Sequence, residues 1–435
     1  MSNKTINLQH IARVEGYGSL TVDMNKGILK GAKFQVLEGA RFFEGILLGK
    51  KYYDVSIIVS RICAICSVSH SVVSTRAIEN ALGIITLQQT HELRELLVLS
   101  EFIQSHILHE YFLALPDYLR QPSAIALAQS HPELVKKGFH GKRIANEMQR
   151  KIGGRAVHPI RNVVGGFTMF PTENELQYFK NELPKIIEDT LSTIKILRNI
   201  PNQPSISPKG DYIAIFNPNH YAYYQADLLT YKGSKLTIEK AKYKELLIEE
   251  VRSYSHTKFS TLNDESFMVG ALARLNINYK FLTDKGKEAL EVSGLELPDI
   301  NPYHINMAQL IEIVDCCQRS VNLIENFLIN GFQREDLSQL NPKTGNGIAL
   351  TEAPRGLLIH EYSFDNDLNC TYCNIITPTT FNQYKIETDC EDLIHRYHKE
   401  PKESMELKLN MLVRAYDPCI SCSAHALSLK INYEE

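Results

Sequence analysis

The spacing of hydrophobic positions changes several times along this chain. Between residues 5 and 60, short runs such as Ser19-Leu-Thr-Val-Asp23 and Ala32-Lys-Phe-Gln-Val-Leu37 alternate apolar with polar, and Gly and charged residues separate them. A period of two predicts a small antiparallel sheet. From about Leu87 to Leu115 the period lengthens. Leu93, Leu96, Leu97, Ser100, Ile103, His106 and Ile107 share one face at three-to-four spacing, and Pro116 marks the end, which predicts a long helix. Thr172-Glu-Asn-Glu175 has the form of a capping box, opening a second long helix to about Ile200 with Pro184 near its middle. A third long helix is predicted from about Tyr303 to Asn330. Residues 350–385 alternate again, and a helix over 402–417 closes the pattern. The stretch 201–265 is polar, rich in Tyr and Lys and weakly patterned, and reads as a surface insertion of strands and loops. No repeat, low-complexity segment or linker divides the chain. The expectation is one α+β domain over residues 1–435, with a small sheet at about 5–60, long buried helices forming a bundle-like core at about 87–200 and 303–425, and small antiparallel sheets at the periphery.

Composition narrows the function more than the fold. With 435 residues, 44% hydrophobic and 22% charged, the chain can bury a large core. A formal net charge of -3, with basic residues dispersed apart from small clusters such as Lys136/Lys137 and Lys240–Lys244, gives no electrostatic footprint for nucleic acid. The start, Met1-Ser-Asn-Lys-Thr-Ile, has no apolar leader, and no apolar run approaches the roughly 18 residues a membrane span needs. A cytoplasmic protein is expected. Nine cysteines without a secretory leader point to metal ligands or free thiols rather than disulfides.

Those cysteines carry the chemistry. Cys63 and Cys66 lie in Arg61-Ile-Cys-Ala-Ile-Cys-Ser-Val-Ser-His70, and Cys419 and Cys422 in Asp417-Pro-Cys-Ile-Ser-Cys-Ser-Ala-His425. Four thiolates delivered in twos can hold one metal centre. Pairs this far apart would tie the first part of the fold to its C-terminal segment, unlike a zinc knuckle. A structural zinc scaffold is the alternative on cysteine count alone. It has no use for the charged flanks Arg61, His70, Asp417 and His425, nor for Arg13-Val-Glu-Gly-Tyr-Gly18 near the start. Cys370/Cys373, in Asn369-Cys-Thr-Tyr-Cys, read as structural, and Cys316-Cys317 as core.

Taken together these motifs resemble the large subunit of nickel–iron hydrogenases. The resemblance continues through Gly39-Ala-Arg-Phe-Phe-Glu44, Leu115-Pro-Asp117, Gly154-Arg-Ala-Val-His158, Gly165-Gly166, Phe267-Met-Val-Gly270, Thr351-Glu-Ala-Pro-Arg-Gly356 and Ile376-Thr-Pro-Thr-Thr-Phe-Asn382. It implies reversible heterolytic cleavage of H2. Cys63 and Cys419 would be terminal nickel ligands, and Cys66 and Cys422 would bridge to an iron carrying carbon monoxide and cyanide. Arg355 would lie above the open metal position, there to polarise or accept a proton from H2 or, with Thr379, to bind cyanide; Asp417 would orient it. Glu15 would take the proton from Cys419, and His70 would hydrogen-bond a bridging sulfur. Glu44 and His425 would hold Mg2+ or Fe2+ near the C-terminus. Ser105 stands where many relatives have aspartate, Tyr17 where histidine is common and Ala64 where glycine is.

The wording Arg414-Ala-Tyr-Asp-Pro-Cys-Ile-Ser-Cys-Ser423 looks most like the NAD(P)-linked, sulfhydrogenase-like branch. The chain has neither cysteines for an iron–sulfur cluster nor a Gly-x-Gly-x-x-Gly fingerprint. Electrons would therefore leave through an iron–sulfur small subunit, docked near the 87–115 helix and the Glu15 region, and reach NAD(P) through flavin and further iron–sulfur subunits. The resemblance also implies a maturation protease that cuts after His425 and removes the tail 426–435.

Overall fold

In a computed structural model, residues 4–8, 11–25, 28–39, 41–231 and 236–424 are described. The N-terminal alternation forms the expected antiparallel sheet of β1 (Lys4–Leu8), β2 (Gly18–Asn25) and β3 (Ile28–Val36). Leu20, Val22, Phe34 and Val36 are its buried members, every second residue as the pleat requires. Two short helices, α1 (Phe43–Leu47) and α2 (Tyr52–Val59), lead to the first cysteine pair, and α3 (Ser67–Leu82) leaves it.

Long helices make the interior: α4 (Gln88–Ile107), α5 (Pro132–Gly153), α6 (Glu173–Arg198) and α7 (Ile305–Asn330). Helix α7 packs against both α6 and α4, and so does α5. The capping box is complete, with Thr172 and Glu175 each closing on the other's backbone N–H, and α6 runs through Pro184. Helix α4 departs from expectation at its end, where Leu108–Ala114 widens into a π-helix. Helix α7 is buried all round from Ile305 to Cys317, yet carries Gln309, Glu312 and Asp315 on one face. Buried polar groups need partners, and each of the three has them.

Strands β4 (Asp211–Phe216), β5 (Leu228–Tyr231), β6 (Leu236–Glu239), β7 (Leu247–Val251), β8 (Lys258–Leu262) and β9 (Phe267–Met268) follow α6. Strands β4 to β6 pair antiparallel, β9 adds parallel to β4, and β7 pairs with β8. This stretch was expected at the surface, but Tyr221 and Tyr223 within it are wholly buried. Their hydroxyls donate to Glu312 (2.9 Å) and Asp315 (3.1 Å). Phenol rings can enter a core when the O–H finds such acceptors, so polar composition misplaced them.

A last antiparallel meander, β10 (Gly345–Ala353), β11 (Gly356–Phe364) and β12 (Cys370–Ile376), precedes α8 (Pro378–Tyr397) and α9 (Lys402–Ala415). Helix α8, opened by Pro378 at its first position, starts where continued alternation was expected. Ala353 pairs with Gly356, so Pro354 and Arg355 form a two-residue hairpin turn. Gly356 has φ 137°, and a Cβ there would meet Val269 Cγ2 at 2.5 Å. Only glycine lets the Val269–Gly270 backbone come this close to the turn. The small sheets around a helical core match the α+β expectation, with the cysteines joining the N- and C-terminal segments. Among the described residues, no helix is long and apolar enough to cross a membrane.

Candidate metal centre

Each Cys-x-x-Cys segment places one cysteine at a helix start. Cys63 follows a single 3-10 turn and Cys66 is the N-cap of α3; Cys419 is the N-cap of the short Ile420–Ser423 turn that contains Cys422. The N–H groups at a helix start favour thiolate over thiol. The loops meet so that Cys63 Sγ lies 3.3 Å from Cys419 Sγ, and Cys66 Sγ 3.1 Å from Cys422 Sγ. All four sulfurs are buried and lie within 4.8 Å of one another. Hydrogen bonds from the other thiols, Cys419 first, hold Cys63 well below the usual thiol range, while burial pushes Cys66 up to about 12 and raises Cys419 and Cys422 too. Burial thus opposes ionising all four sulfurs together. Full deprotonation needs a metal cation between the sulfurs, and a buried set of four soft donors fits such a centre.

Side chains from distant elements lock the two loops. Ile420 N donates to Glu15 O (3.1 Å) in an isolated bridge between Glu15 and Cys419. The Glu15 carboxylate accepts from Ser421 N (3.0 Å) and Ser421 Oγ. Arg41 Nη2 donates to Ile62 O and Ser421 O, one carbonyl from each cysteine segment. Glu101 on α4 accepts from Val68 N (2.7 Å) and Ser69 N (2.9 Å), capping α3 in place of the side chain that Cys66 cannot supply. Gln104 donates to Ile65 O (2.8 Å). Sequence reading gave no role to Arg41, Glu101 or Gln104, although Arg41 lies within the motif Gly39-Ala-Arg-Phe-Phe-Glu44.

Arg355, 3% exposed, sits at the hairpin tip. Its Nε donates to Asp417 O (2.8 Å) and its Nη2 to Asp417 Oδ1 (3.0 Å), while Nη1 is buried without a hydrogen-bond partner. Burial opposes its charge, but Asp417 and the neighbouring cysteines hold its pKa well above the usual guanidinium value. Ser105 is buried with its Oγ unpartnered. Thr379 Oγ1 accepts from Cys419 N at 2.9 Å. Burial, then the charge of Cys63, raises the Glu15 carboxyl above the usual range.

His70 lies on α3, one turn after Cys66, with Nδ1 3.2 Å from His360 Nε2. His360 Nδ1 meets Tyr362 OH at 2.6 Å. Glu44, half-buried, accepts from Ile375 N (2.9 Å) and pairs with Lys258 Nζ (3.3 Å). His425 and the tail 426–435 lie outside the described residues. The structure thus gathers Glu15, Cys63, Cys66, Arg355, Thr379, Asp417, Cys419 and Cys422 in one place, with His70 on the helix that leaves it.

Comparison with known proteins gives one family. Residues 41–138 and 196–425 match the model described as nickel-dependent hydrogenase. Sulfhydrogenase 2 subunit alpha of Pyrococcus furiosus is 37% identical over 98% of this chain and 100% of its own length. The HoxS subunit beta of the NAD-reducing hydrogenase of Cupriavidus necator is 26% identical, over 98% of this chain and 96% of its own. In the same fold, a crystal structure of an NAD+-reducing [NiFe]-hydrogenase in the H2-reduced state superposes with TM-score 0.88 at 24% identity. It covers 98% of this chain and 100% of the other.

Proposed function

The chain belongs to the nickel-dependent hydrogenase family as a large subunit, and from that premise we propose that it splits and forms H2 heterolytically, its four buried cysteines holding a nickel–iron centre with carbon monoxide and cyanide on the iron. The observation that carries the reading is the pairing of sulfurs across the two motifs, Cys63 with Cys419 and Cys66 with Cys422. This is the pairing expected if Cys63 and Cys419 bind terminally and Cys66 and Cys422 bridge. When bound, the centre supplies a Lewis-acidic, redox-active site where H2 can be polarised.

The chain's own residues handle the proton. Glu15, raised by burial, is suited to accept a proton from the Cys419 side and pass it on. Its Oε1 accepts from Ser421 Oγ, which also lies 3.1 Å from Glu38 Oε1. Glu15 would give its proton to Ser421 Oγ as that hydroxyl gives its own to the half-buried Glu38. The unpartnered Nη1 of Arg355 is a fixed cationic donor available to H2 or, with Thr379, to cyanide. His70 would tune a bridging sulfur. For the expected Mg2+ or Fe2+ site, Glu44 Oε1 lies 3.3 Å from Lys258 Nζ, which is shared with Glu249, and no step is assigned to the ion.

Electrons need a partner. Helix α4, expected near that partner, is buried along most of its length. Near the cysteine loops, the exposed apolar side chains include Phe42, Ile46, Leu48, Tyr53 and Ile57, on or beside α1 and α2, with Tyr17 and Leu37 exposed in the Glu15 region. Helix α2 runs directly into the Cys63 loop, so an iron–sulfur subunit seated there would stand next to the metal. From it electrons would pass to NAD(P) or a similar soluble acceptor. Purification from a host able to mature such enzymes tests this: an iron–sulfur chain should copurify, and Ile57→Asp should release it. Full activity of the isolated chain with soluble acceptors would refute the docking.

A further inference from the structure

Two histidines one turn apart enter the interior from the end of the long helix, and their surroundings differ. His106 Nε2 meets Glu312 Oε2 at 2.9 Å, and its Nδ1 has no partner. A neutral ring satisfies that site, and burial lowers its pKa. His109, 1% exposed, belongs to the π-helical turn. Its Nε2 is 2.7 Å from the carbonyl of Arg414. Its Nδ1 is 2.7 Å from Gln309 Oε1 and 3.0 Å from Glu110 Oε1. The Gln309 amide is fixed in this orientation because its Nε2 donates to Asp417 Oδ2 at 3.4 Å. Gln309 Oε1 at one ring nitrogen and the Arg414 carbonyl at the other are therefore both acceptors. Only a ring with protons on both nitrogens satisfies all of them.

We infer that His109 is a permanent buried imidazolium and a positioning residue for Arg355, acting through Gln309 and Asp417. This rests on the reading of Arg355 as part of the H2 site. The charges alternate along the line: Glu110, His109, then through the Gln309 amide to Asp417 and Arg355. By holding Gln309 Oε1, the imidazolium turns Gln309 Nε2 toward Asp417 Oδ2. That leaves Asp417 Oδ1 and the Asp417 carbonyl to fix two edges of the guanidinium. Asp417 itself sits at φ 47°, a left-handed conformation that a non-glycine residue keeps only when its surroundings hold it. The groups facing His109 come from three elements: Glu110 beside it, Gln309 on α7, and the Arg414 carbonyl on α9 with Asp417 just beyond. Burial opposes the charge, and Asp417 and Glu110 outweigh it, raising His109 to about 9.

The test uses nickel-loaded enzyme with 15N-labelled histidine, read by magic-angle-spinning NMR, the His109 signal being assigned by its loss in His109→Gln. Both ring nitrogens should carry protons at neutral pH. In His109→Gln, turnover should fall about tenfold or more, as when a group behind a metal ligand is removed, and the cyanide stretching bands should shift at unchanged nickel content. Gln309→Leu should shift the same bands while His109 stays doubly protonated. A neutral His109 ring would overturn the inference, as would wild-type turnover and bands in His109→Gln. If that variant does not fold, the Gln309→Leu bands decide, and the His109 ring is identified as the imidazole signal that moves when Gln309 is replaced. Wild-type enzyme lacking carbon monoxide and cyanide bands would overturn the hydrogenase reading instead, while the ring signals still decide the charge on His109.

Discussion

Cys63 and Cys419 are 356 residues apart in sequence, and their Sγ atoms are 3.3 Å apart in space. The metal centre therefore exists only once the chain has folded, and a metal held there binds the native state alone. Such binding stabilises the fold by mass action. Replacing any one of Cys63, Cys66, Cys419 or Cys422 with Ser should abolish H2 turnover, and most replacements should cost the nickel. Loaded wild-type enzyme should also melt above its metal-free form. Equal melting temperatures with and without metal would contradict the closure of the two segments by this centre.

Glu15→Gln keeps the acceptor geometry toward Ser421 N and removes the titrating proton. H2 turnover should fall by orders of magnitude, with metal content and infrared bands in place, because general acid–base groups contribute roughly 10²–10⁴-fold. Wild-type turnover in this variant would take Glu15 out of the proton path.

Arg355→Lys replaces a planar fork that makes two contacts to Asp417 by a point charge on a flexible stem. Most of the rate should be lost, again with nickel retained. A variant with full turnover would mean that the charge at the hairpin tip suffices without its geometry.

Stability should fall as pH rises from about 5 to 8. Burial pushes Glu101 up to about 8 and Glu352 to about 7. A carboxyl whose folded value lies above its unfolded one binds its proton more tightly in the folded state. Its contribution is fully present below the unfolded value and is lost as pH rises through the folded one. Thermal melts of wild type and Glu101→Gln across that range check this, and the variant should show the shallower slope. Parallel melting curves would indicate that Val68 N, Ser69 N and Ser69 Oγ, all donors to Glu101, keep it ionised.

If the tail 426–435 is removed by a maturation protease, intact-mass measurement on active, nickel-loaded enzyme should give a chain ending at His425. A mass that includes Ala426 to Glu435 would mean maturation without cleavage, and would weaken His425 as an ion ligand.

The periodic parts of this fold were readable in advance. The N-terminal sheet, the capping box at Thr172 and the helix to Asn330 follow from local patterning. The meeting of the two cysteine motifs was also expected, because four thiolates delivered in twos can hold one metal centre. What escaped were polar residues whose meaning is entirely tertiary. Glu101 caps a helix that begins 34 residues before it, since Val68 lies 33 positions and Cys66 35 away, and Arg41 joins carbonyls 21 and 380 positions off. The acids Glu312 and Asp315 on α7 drew two tyrosines from an apparently exposed segment into the core. The π-helical turn at 108–114 has no pattern of its own, yet it sets where His109 points.

Metal analysis and infrared spectroscopy on the same purified, active sample bear most directly on the central claim. The account predicts about one nickel and one iron per chain, with carbon monoxide and cyanide stretching bands that disappear in Cys66→Ser. Stoichiometric zinc in active enzyme, with neither set of bands, would contradict it.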